Sequence, residues 1–170
     1  MTVRKVIEES SELLGVELTD KNLEFWLNAY NNVENELAMD YFPLRTLDKV
    51  LITENKVKYG DLQRKAWRIM GVHDCDNHEL KYKLYPTYMA FAKKDNGKHC
   101  FVRYCYVPQE KTIDGISEFD EGMFKDTLKY GVCAEYCILQ GDYEQSSLWT
   151  EKYKKEINMY WFKWKVKGEE

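Results

Sequence analysis

Apolar residues recur at helical spacing near both ends of the chain and alternate with polar residues in its middle. The N-terminal pattern predicts one helix that stops at Gly15 and a second, capped by Thr19 or Asp20, that runs to about Met39. Pro43 cannot continue this helix, because its ring clashes with the preceding turn. On the second helix we expect a buried stripe of Leu23, Leu27, Tyr30 and Leu37 and an outward polar side of Asn28, Asn31, Asn32 and Asn35.

The middle of the chain has the period-two pattern of half-buried strands, with segments around Trp67 to Val72 and Leu80 to Leu84. Residues 50–52 and 56–59 flank a short turn, and residues 89–92 and 101–107 flank a loop containing Asn96-Gly97, so each pair is predicted to form a hairpin. The last strand should turn two sets of side chains to opposite faces: Phe101, Arg103 and Cys105 on one, and Val102, Tyr104 and Tyr106 on the other.

Helical spacing returns after Pro108, with Ser117 or Asp120 as the predicted cap. The expected buried line of this third helix is Phe124, Leu128, Val132, Glu135 and Leu139, widened by Tyr136 and Ile138. Gly141 should end it and Asp142 should start a last helix that carries Leu148, Trp149, Tyr153 and Ile157. This order predicts an α+β fold: a bundle of two N-terminal and two C-terminal helices, with a small antiparallel β lobe inserted between them and an extended C-terminal tail.

The predicted organisation is a single domain with four parts: helices over residues 1–45, the β lobe over 46–112, helices over 113–158, and a tail over 159–170. The tail is dense in aromatic residues, and its last part alternates them with lysine as a strand would. Aromatic side chains at such density usually pack against another surface. That surface could be the bundle itself, a neighbouring protein joined by strand addition, or single-stranded nucleic acid stacked on the rings.

Composition narrows the possible functions. The 170 residues are 44% hydrophobic and 32% charged, which is typical of a folded domain, and 15% are aromatic, which hints at contacts beyond one core. The formal net charge of −4 argues against a dedicated nucleic-acid binder held by a broad basic face. No apolar run approaches the length of a membrane helix, and the acidic start of the chain is unlike a signal peptide, so we expect a cytosolic product with reduced cysteines.

Catalytic signatures are scarce, so we expect no enzyme, no catalytic residue and no cofactor. The sequence has no phosphate-binding glycine loop, no nucleophile elbow and only three histidines. His73, Cys75 and His78, with His99 and Cys100 across the sheet, could in principle hold zinc, but their spacing matches no familiar zinc module, and a polar turn is the favoured interpretation. Cys133 and Cys137 lie one helical turn apart and are interpreted as small buried apolar residues.

Several short segments carry a resemblance by their sum. In chain order they are Val33-Glu34-Asn35-Glu36-Leu37-Ala38 with Asp40-Tyr41-Phe42-Pro43-Leu44, Lys56-Val57-Lys58-Tyr59 with Asp61-Leu62, Lys81-Tyr82-Lys83-Leu84-Tyr85-Pro86-Thr87-Tyr88, Val102-Arg103-Tyr104-Cys105-Tyr106 with Pro108 and Glu110-Lys111-Thr112, and Tyr130-Gly131-Val132-Cys133-Ala134-Glu135-Tyr136-Cys137 with Gly141-Asp142-Tyr143-Glu144, Trp149 and Lys152-Tyr153. Together these segments resemble the small head–tail connector proteins (adaptor or head-completion proteins) of tailed phages and prophages of low-GC Gram-positive bacteria. The likeness runs in order from about residue 3 to residue 157, and none of the segments is a catalytic signature.

The resemblance implies a structural virion protein made in the bacterial cytoplasm. It would form a homo-oligomeric ring, commonly of twelve copies, between the portal protein and the tail proteins, with DNA passing through the channel without sequence-specific binding. A basic, aromatic C-terminal segment that reaches into the portal is in keeping with this class. The expected docking residues are Tyr160, Trp161, Phe162, Lys163, Trp164, Lys165, Val166 and Lys167. The alternative is an interaction module of a mobile element that binds a host protein through the same aromatic surface.

Overall fold

The structure is a computed structural model that describes the backbone of residues 1–167 and the side chains of residues 1–161. It divides into two compact units: a helical unit, formed by Met1–Tyr41 and the chain from Gln109 onward, and a β unit, Phe42–Pro108. Two helices precede the β unit and two follow it, so the predicted α+β class, with helices at both ends and antiparallel sheets between them, is confirmed.

The helical unit contains four helices: α1 (Val3–Leu14), α2 (Leu23–Glu36), α3 (Glu121–Leu139) and α4 (Tyr143–Lys167). The hydroxyl of Thr2 accepts a hydrogen bond from the Lys5 backbone at 3.4 Å and so caps α1, which ends at Gly15 in the left-handed conformation, as predicted. Asn22, rather than Thr19 or Asp20, precedes α2. Five residues in π-helical conformation, Leu37–Tyr41, then complete the second helical segment.

Helix α3 is the centre of this unit and packs against the other three helices. Trp26 of α2 is fully buried and stacks on Tyr136 of α3, with 3.7 Å between the ring centroids. Helices α2 and α4 also lie close to the backbone of α3 at Gly131. An added Cβ at this position would lie 2.6 Å from Val33 Cγ1 and 3.0 Å from the Tyr153 ring. Glycine at this position therefore permits α2 and α4 to pack on α3 at the same level.

A buried carboxylate ties α2 to the segment that precedes α3. Glu34 is 1% exposed, and its Oε1 accepts hydrogen bonds from the Tyr30 hydroxyl at 2.9 Å, the Ser117 hydroxyl at 3.0 Å and the Glu118 backbone N–H at 2.8 Å. Its Oε2 has no hydrogen-bond partner among the described residues. Burial raises the pKa of Glu34 above that of an ordinary glutamate, although the three donors oppose the shift.

Asn31 makes the second link between α2 and this segment. Its side chain donates to the Lys111 carbonyl at 3.1 Å and accepts from the Lys111 N–H at 2.7 Å. Asn31 is consequently buried, so the prediction that it faces outward is wrong. In the last turn of α3, Ile138 and Leu139 are 43% and 38% exposed rather than buried as expected. Of the stripe predicted for the second helix, Tyr30 and Leu37 are buried, but Leu23 and Leu27 are only partly buried, and the fully buried Trp26 was not in the predicted stripe.

The β unit consists of two three-stranded antiparallel sheets, with strand orders β1-β6-β3 and β2-β5-β4. The strands are β1 (Arg45–Leu51), β2 (Lys56–Lys58), β3 (Ala66–His73), β4 (Tyr82–Leu84), β5 (Tyr88–Phe91) and β6 (His99–Tyr106). Both sheets contribute to one apolar core, in which the most completely buried side chains are Ile52, Val57, Val72, Met89, Cys100, Val102 and Tyr104. The predicted alternation along β6 is confirmed, because Val102 and Tyr104 lie in this core, Tyr106 packs against it, and Arg103 is exposed.

The prediction of a hairpin around Asn96-Gly97 is wrong, because β5 and β6 belong to different sheets. Gly97 does adopt a positive φ of 78°, as the turn chemistry requires, but the connection carries the chain from one sheet to the other. The turn between residues 50–52 and 56–59 forms as expected, with Glu54 and Asn55 at positive φ and Thr53 bridged to Lys56. Its two arms then enter different sheets as well.

The extended conformation predicted for the tail is also wrong over the described backbone, because helix α4 continues without a break to Lys167. Trp149, Tyr153 and Ile157 are buried at four-residue spacing. A helix anchored in this way extends at little cost while neither glycine nor proline interrupts it, and none occurs between Tyr143 and Lys167. Residues 168–170 of the predicted tail lie outside the described residues.

Candidate functional site

The expected docking residues occupy the C-terminal end of α4. The helix starts where Asp142 accepts a hydrogen bond from the Gln145 N–H at 3.1 Å, directly after Gly141 at a φ of 78°. The buried line of α4 then reaches Tyr160, whose ring lies 5.7 Å from that of Phe124 on α3. The first of the eight expected residues therefore packs on the bundle.

The remainder of this docking segment, residues 161–167, continues the same helix. Trp161 is partly buried and is not without contacts, and the side chains of Phe162, Lys163, Trp164, Lys165, Val166 and Lys167 lie outside those described. The two antiparallel helices join between Leu139 and Tyr143, so the first residue of α3, Glu121, lies opposite a point close to Trp161. The backbone of α4 therefore extends about 9 Å past the start of α3, at 1.5 Å per residue.

A second surface, which was not predicted, is the outer face of the β1-β6-β3 sheet. Cross-strand partners project to the same side of a sheet, so the register fixes which residues share this face. Its successive rows are Arg45, Cys105 and Arg68, then Leu47, Arg103 and Gly71, then Lys49, Phe101 and His73, and finally Leu51 and His99. We call this surface the basic sheet face.

Four permanent cations lie on the basic sheet face. The side chains of Arg45, Lys49, Arg68 and Arg103 are all exposed. Lys49 Nζ lies 6.0 Å from the centre of the Phe101 ring. None of the strand residues in the four rows is acidic; Glu79, in a β-bridge with His73, and Asp74, directly after His73, border the rows at the end of β3. Among the side chains that the structure describes, no carboxylate forms an ion pair with Lys49, Arg68 or Arg103.

The basic sheet face belongs to a strongly basic unit of an acidic chain. From Phe42 to Pro108 the sequence has 13 Lys and Arg against 7 Asp and Glu, a formal net charge of +6. The rest of the chain has 12 against 22, a formal net charge of −10. The whole-chain value of −4 conceals this division, and a charge count restricted to the alternating middle segment would have revealed it.

The histidine and cysteine residues considered for zinc do not form a cluster among the described side chains. Instead, Asp74, Asp76 and His78 come together at a turn, with their potential ligand atoms within 4.8 Å of one another. Asp74 Oδ1 accepts hydrogen bonds from the Asp76 and His78 backbone N–H groups, both at 2.9 Å, and these bonds, that from His78 foremost, lower the pKa of Asp74. The geometry is that of an aspartate-stabilised turn, in agreement with the favoured interpretation.

The five cysteines are free thiols, and four of them are buried. Cys133 donates to the Ser10 carbonyl at 3.5 Å, and burial raises its pKa to about 12. Burial likewise raises the pKa of Cys100 to about 11. Thiols in this state are poor nucleophiles, so the interpretation of Cys133 and Cys137 as small buried apolar residues is confirmed.

No protein-family model matches the chain, and no curated protein sequence matches it. In the part of the chain that the structure describes, no helix combines the length and the apolar character needed to cross a membrane.

Proposed function

We propose that the protein is a structural component of a phage or prophage particle, a subunit of the ring that joins the portal to the tail. The observation that supports this proposal most is the continuation of α4 beyond the start of α3, in the segment with the densest aromatic and lysine content. A helix anchored at one end by bundle packing offers its other end as a helical docking element for a partner. Aromatic and basic residues are common energetic anchors of protein interfaces.

The internal division of charge also supports a multi-copy assembly. A closed ring requires heterologous contacts, in which one face of each subunit meets a different face of the next. A helical unit with a formal charge of −10 and a β unit with +6 offer two unlike surfaces on one chain. Contacts between unlike charges favour head-to-tail association and disfavour pairing of identical faces. Neither unit requires a catalytic group for this role.

Truncation of α4 tests the docking role. Removal of residues 162–170 keeps the Tyr160–Phe124 contact and should leave the fold intact, while binding to the portal protein encoded in the same genome should fall at least tenfold. The matched control removes only residues 168–170 and should bind as the full chain does. Circular dichroism checks the fold of both variants, and surface plasmon resonance measures their affinity for the portal protein.

Portal binding by the 162–170 truncation at full-length affinity would contradict the docking role of the segment. If the full chain shows no portal affinity but copurifies with a host protein, and the same truncation abolishes that copurification, the interaction module of a mobile element replaces the connector. The two outcomes are distinguishable because the connector binds the portal protein, whereas the interaction module binds a host protein. In both cases the control truncation should still bind, since it retains all eight expected docking residues.

A further inference from the structure

The basic sheet face has a charge pattern that docking on a portal does not explain. Three of the five arginines of the chain project from this one side of the β1-β6-β3 sheet, together with Lys49. Among the described side chains, no carboxylate forms an ion pair with Lys49, Arg68 or Arg103, so these three cations are available to an anionic ligand. The face therefore points to a ligand that carries several negative charges.

The spacing of the cations suits a repeating anion. Arg68, Arg103 and Lys49 lie in three successive rows, and two residues along a strand span about 6.7 Å. A nucleic-acid strand carries one phosphate per nucleotide, so a strip of cations at regular intervals can contact successive phosphates. Arginine has a planar fork of donors that matches phosphate oxygens, and three of the four cations on the face are arginines.

Ring side chains lie between and beside these cations. Phe101 is in the centre of the Lys49 row, with His73 beside it, and His99 is in the next row. Phe101 and His73 are partly exposed, and His99 is exposed. Rings interleaved with cations are the combination used to hold single-stranded nucleic acid, because every base has a flat face that can stack. An acidic protein surface would compensate the cations but would make no special use of the rings.

We propose that the basic sheet face binds the sugar–phosphate backbone of nucleic acid without sequence preference. The contacts are ionic, from Arg68, Arg103 and Lys49 to phosphates, with Phe101 available to stack against a base. The site is independent of the docking segment, since it belongs to the β unit, and it goes beyond the proposed connector function. A protein with this face would hold nucleic acid locally while its helical unit repels it.

Fluorescence anisotropy with labelled DNA tests this proposal on the full chain. The probes are a single strand of about 30 nucleotides and the corresponding duplex, both of mixed sequence. Binding should occur at low salt and should weaken steeply as salt rises. The double variant Arg68→Gln/Arg103→Gln should bind at least tenfold more weakly, and the slope of log affinity against log salt should decrease by about two, because two phosphate contacts are lost. Phe101→Ala should weaken binding of the single strand more than binding of the duplex.

The matched control is Lys93→Gln/Lys94→Gln, which removes the same charge from exposed lysines of the same unit but off the basic sheet face. Its affinity and salt slope should stay close to those of the unmodified chain. Equal losses in the two double variants would show general attraction to a basic unit and would overturn the proposal. So would the absence of DNA binding at low salt, or an Arg68→Gln/Arg103→Gln variant that loses self-association or portal binding but retains DNA. Portal affinity of the 162–170 truncation reports on the connector separately.

Discussion

Replacing Glu34 with alanine should reduce the free energy of unfolding by about 2–4 kcal/mol, because it removes the acceptor shared by three donors. The donors are the hydroxyls of Tyr30 and Ser117 and the backbone N–H of Glu118, all within 3.0 Å of Oε1. Each hydrogen bond to an ionised group is worth about 1.5–3 kcal/mol. The sum is partly offset because the buried carboxylate no longer has to be desolvated.

The isosteric change Glu34→Gln separates these two contributions. The glutamine carbonyl can replace Oε1 as acceptor, and its amide group takes the place of Oε2, which has no partner among the described residues. Because burial raises the pKa of Glu34, the desolvation cost of its charge exceeds the benefit of the charge-assisted bonds, so removal of the charge should change the stability by less than about 1 kcal/mol near neutral pH. A loss equal to that of the alanine variant would show that the charge itself is essential.

The pH dependence has a definite sign. Burial raises the pKa of Glu34 in the folded protein, so the folded state retains a proton that the unfolded state has already released. The contribution of Glu34 to stability is therefore complete below the pKa of an ordinary glutamate, about 4.3, and is lost as pH rises through the raised folded value. Urea unfolding of the wild type and Glu34→Gln at a series of pH values measures this. The stability of the wild type relative to the variant should fall as pH rises, and a constant or rising difference would refute the reasoning.

Three further predictions concern the packing of the two units. Gly131→Ala should destabilise the helical unit by about 1–3 kcal/mol in thermal or urea unfolding, because the new Cβ would meet Val33 at 2.6 Å; an unchanged midpoint would show that α2 can retreat freely. Tyr104→Phe should cost about 1–3 kcal/mol, since the Tyr104 hydroxyl donates to the buried Asp48 carboxylate at 2.6 Å, and equal stability would mean that this carboxylate finds another donor. Titration with a thiol reagent should modify Cys75 alone in the folded protein and all five thiols in denaturant, and rapid reaction of a second thiol in the folded state would contradict the burial of the other four.

The helices could be predicted from sequence because their signals are local. Gly15 at the end of α1, Asp120 before α3 and Gly141 before α4 act within one turn of the helix they limit. The course of the strands could not be predicted in the same way. The Asn96-Gly97 pair does form a tight turn, but whether the following strand pairs with β5 or with β1 and β3 depends on burial of side chains far apart in sequence.

Each candidate site likewise has a part that is visible in the sequence or a part that depends on tertiary packing. The aromatic density of the docking segment is visible in the sequence, whereas its helical backbone follows from the packing of Trp149, Tyr153 and Ile157 on the bundle. The basic sheet face is invisible until the register brings Arg68 and Arg103, from strands far apart in the chain, onto one side of a sheet. Period-two alternation placed Arg103 on the same side of β6 as Phe101 and Cys105, but it could not identify the residues of other strands that lie beside it.

Electron microscopy of the purified chain mixed with the portal protein of its own genome tests the connector function most directly. We expect a closed ring of this protein on one end of each portal, with density for residues 160–167 in contact with portal subunits. The 162–170 truncation should leave the portals bare in parallel samples. Bare portals with the full-length chain, at protein concentrations well above those of the assembled particle, would contradict the connector function.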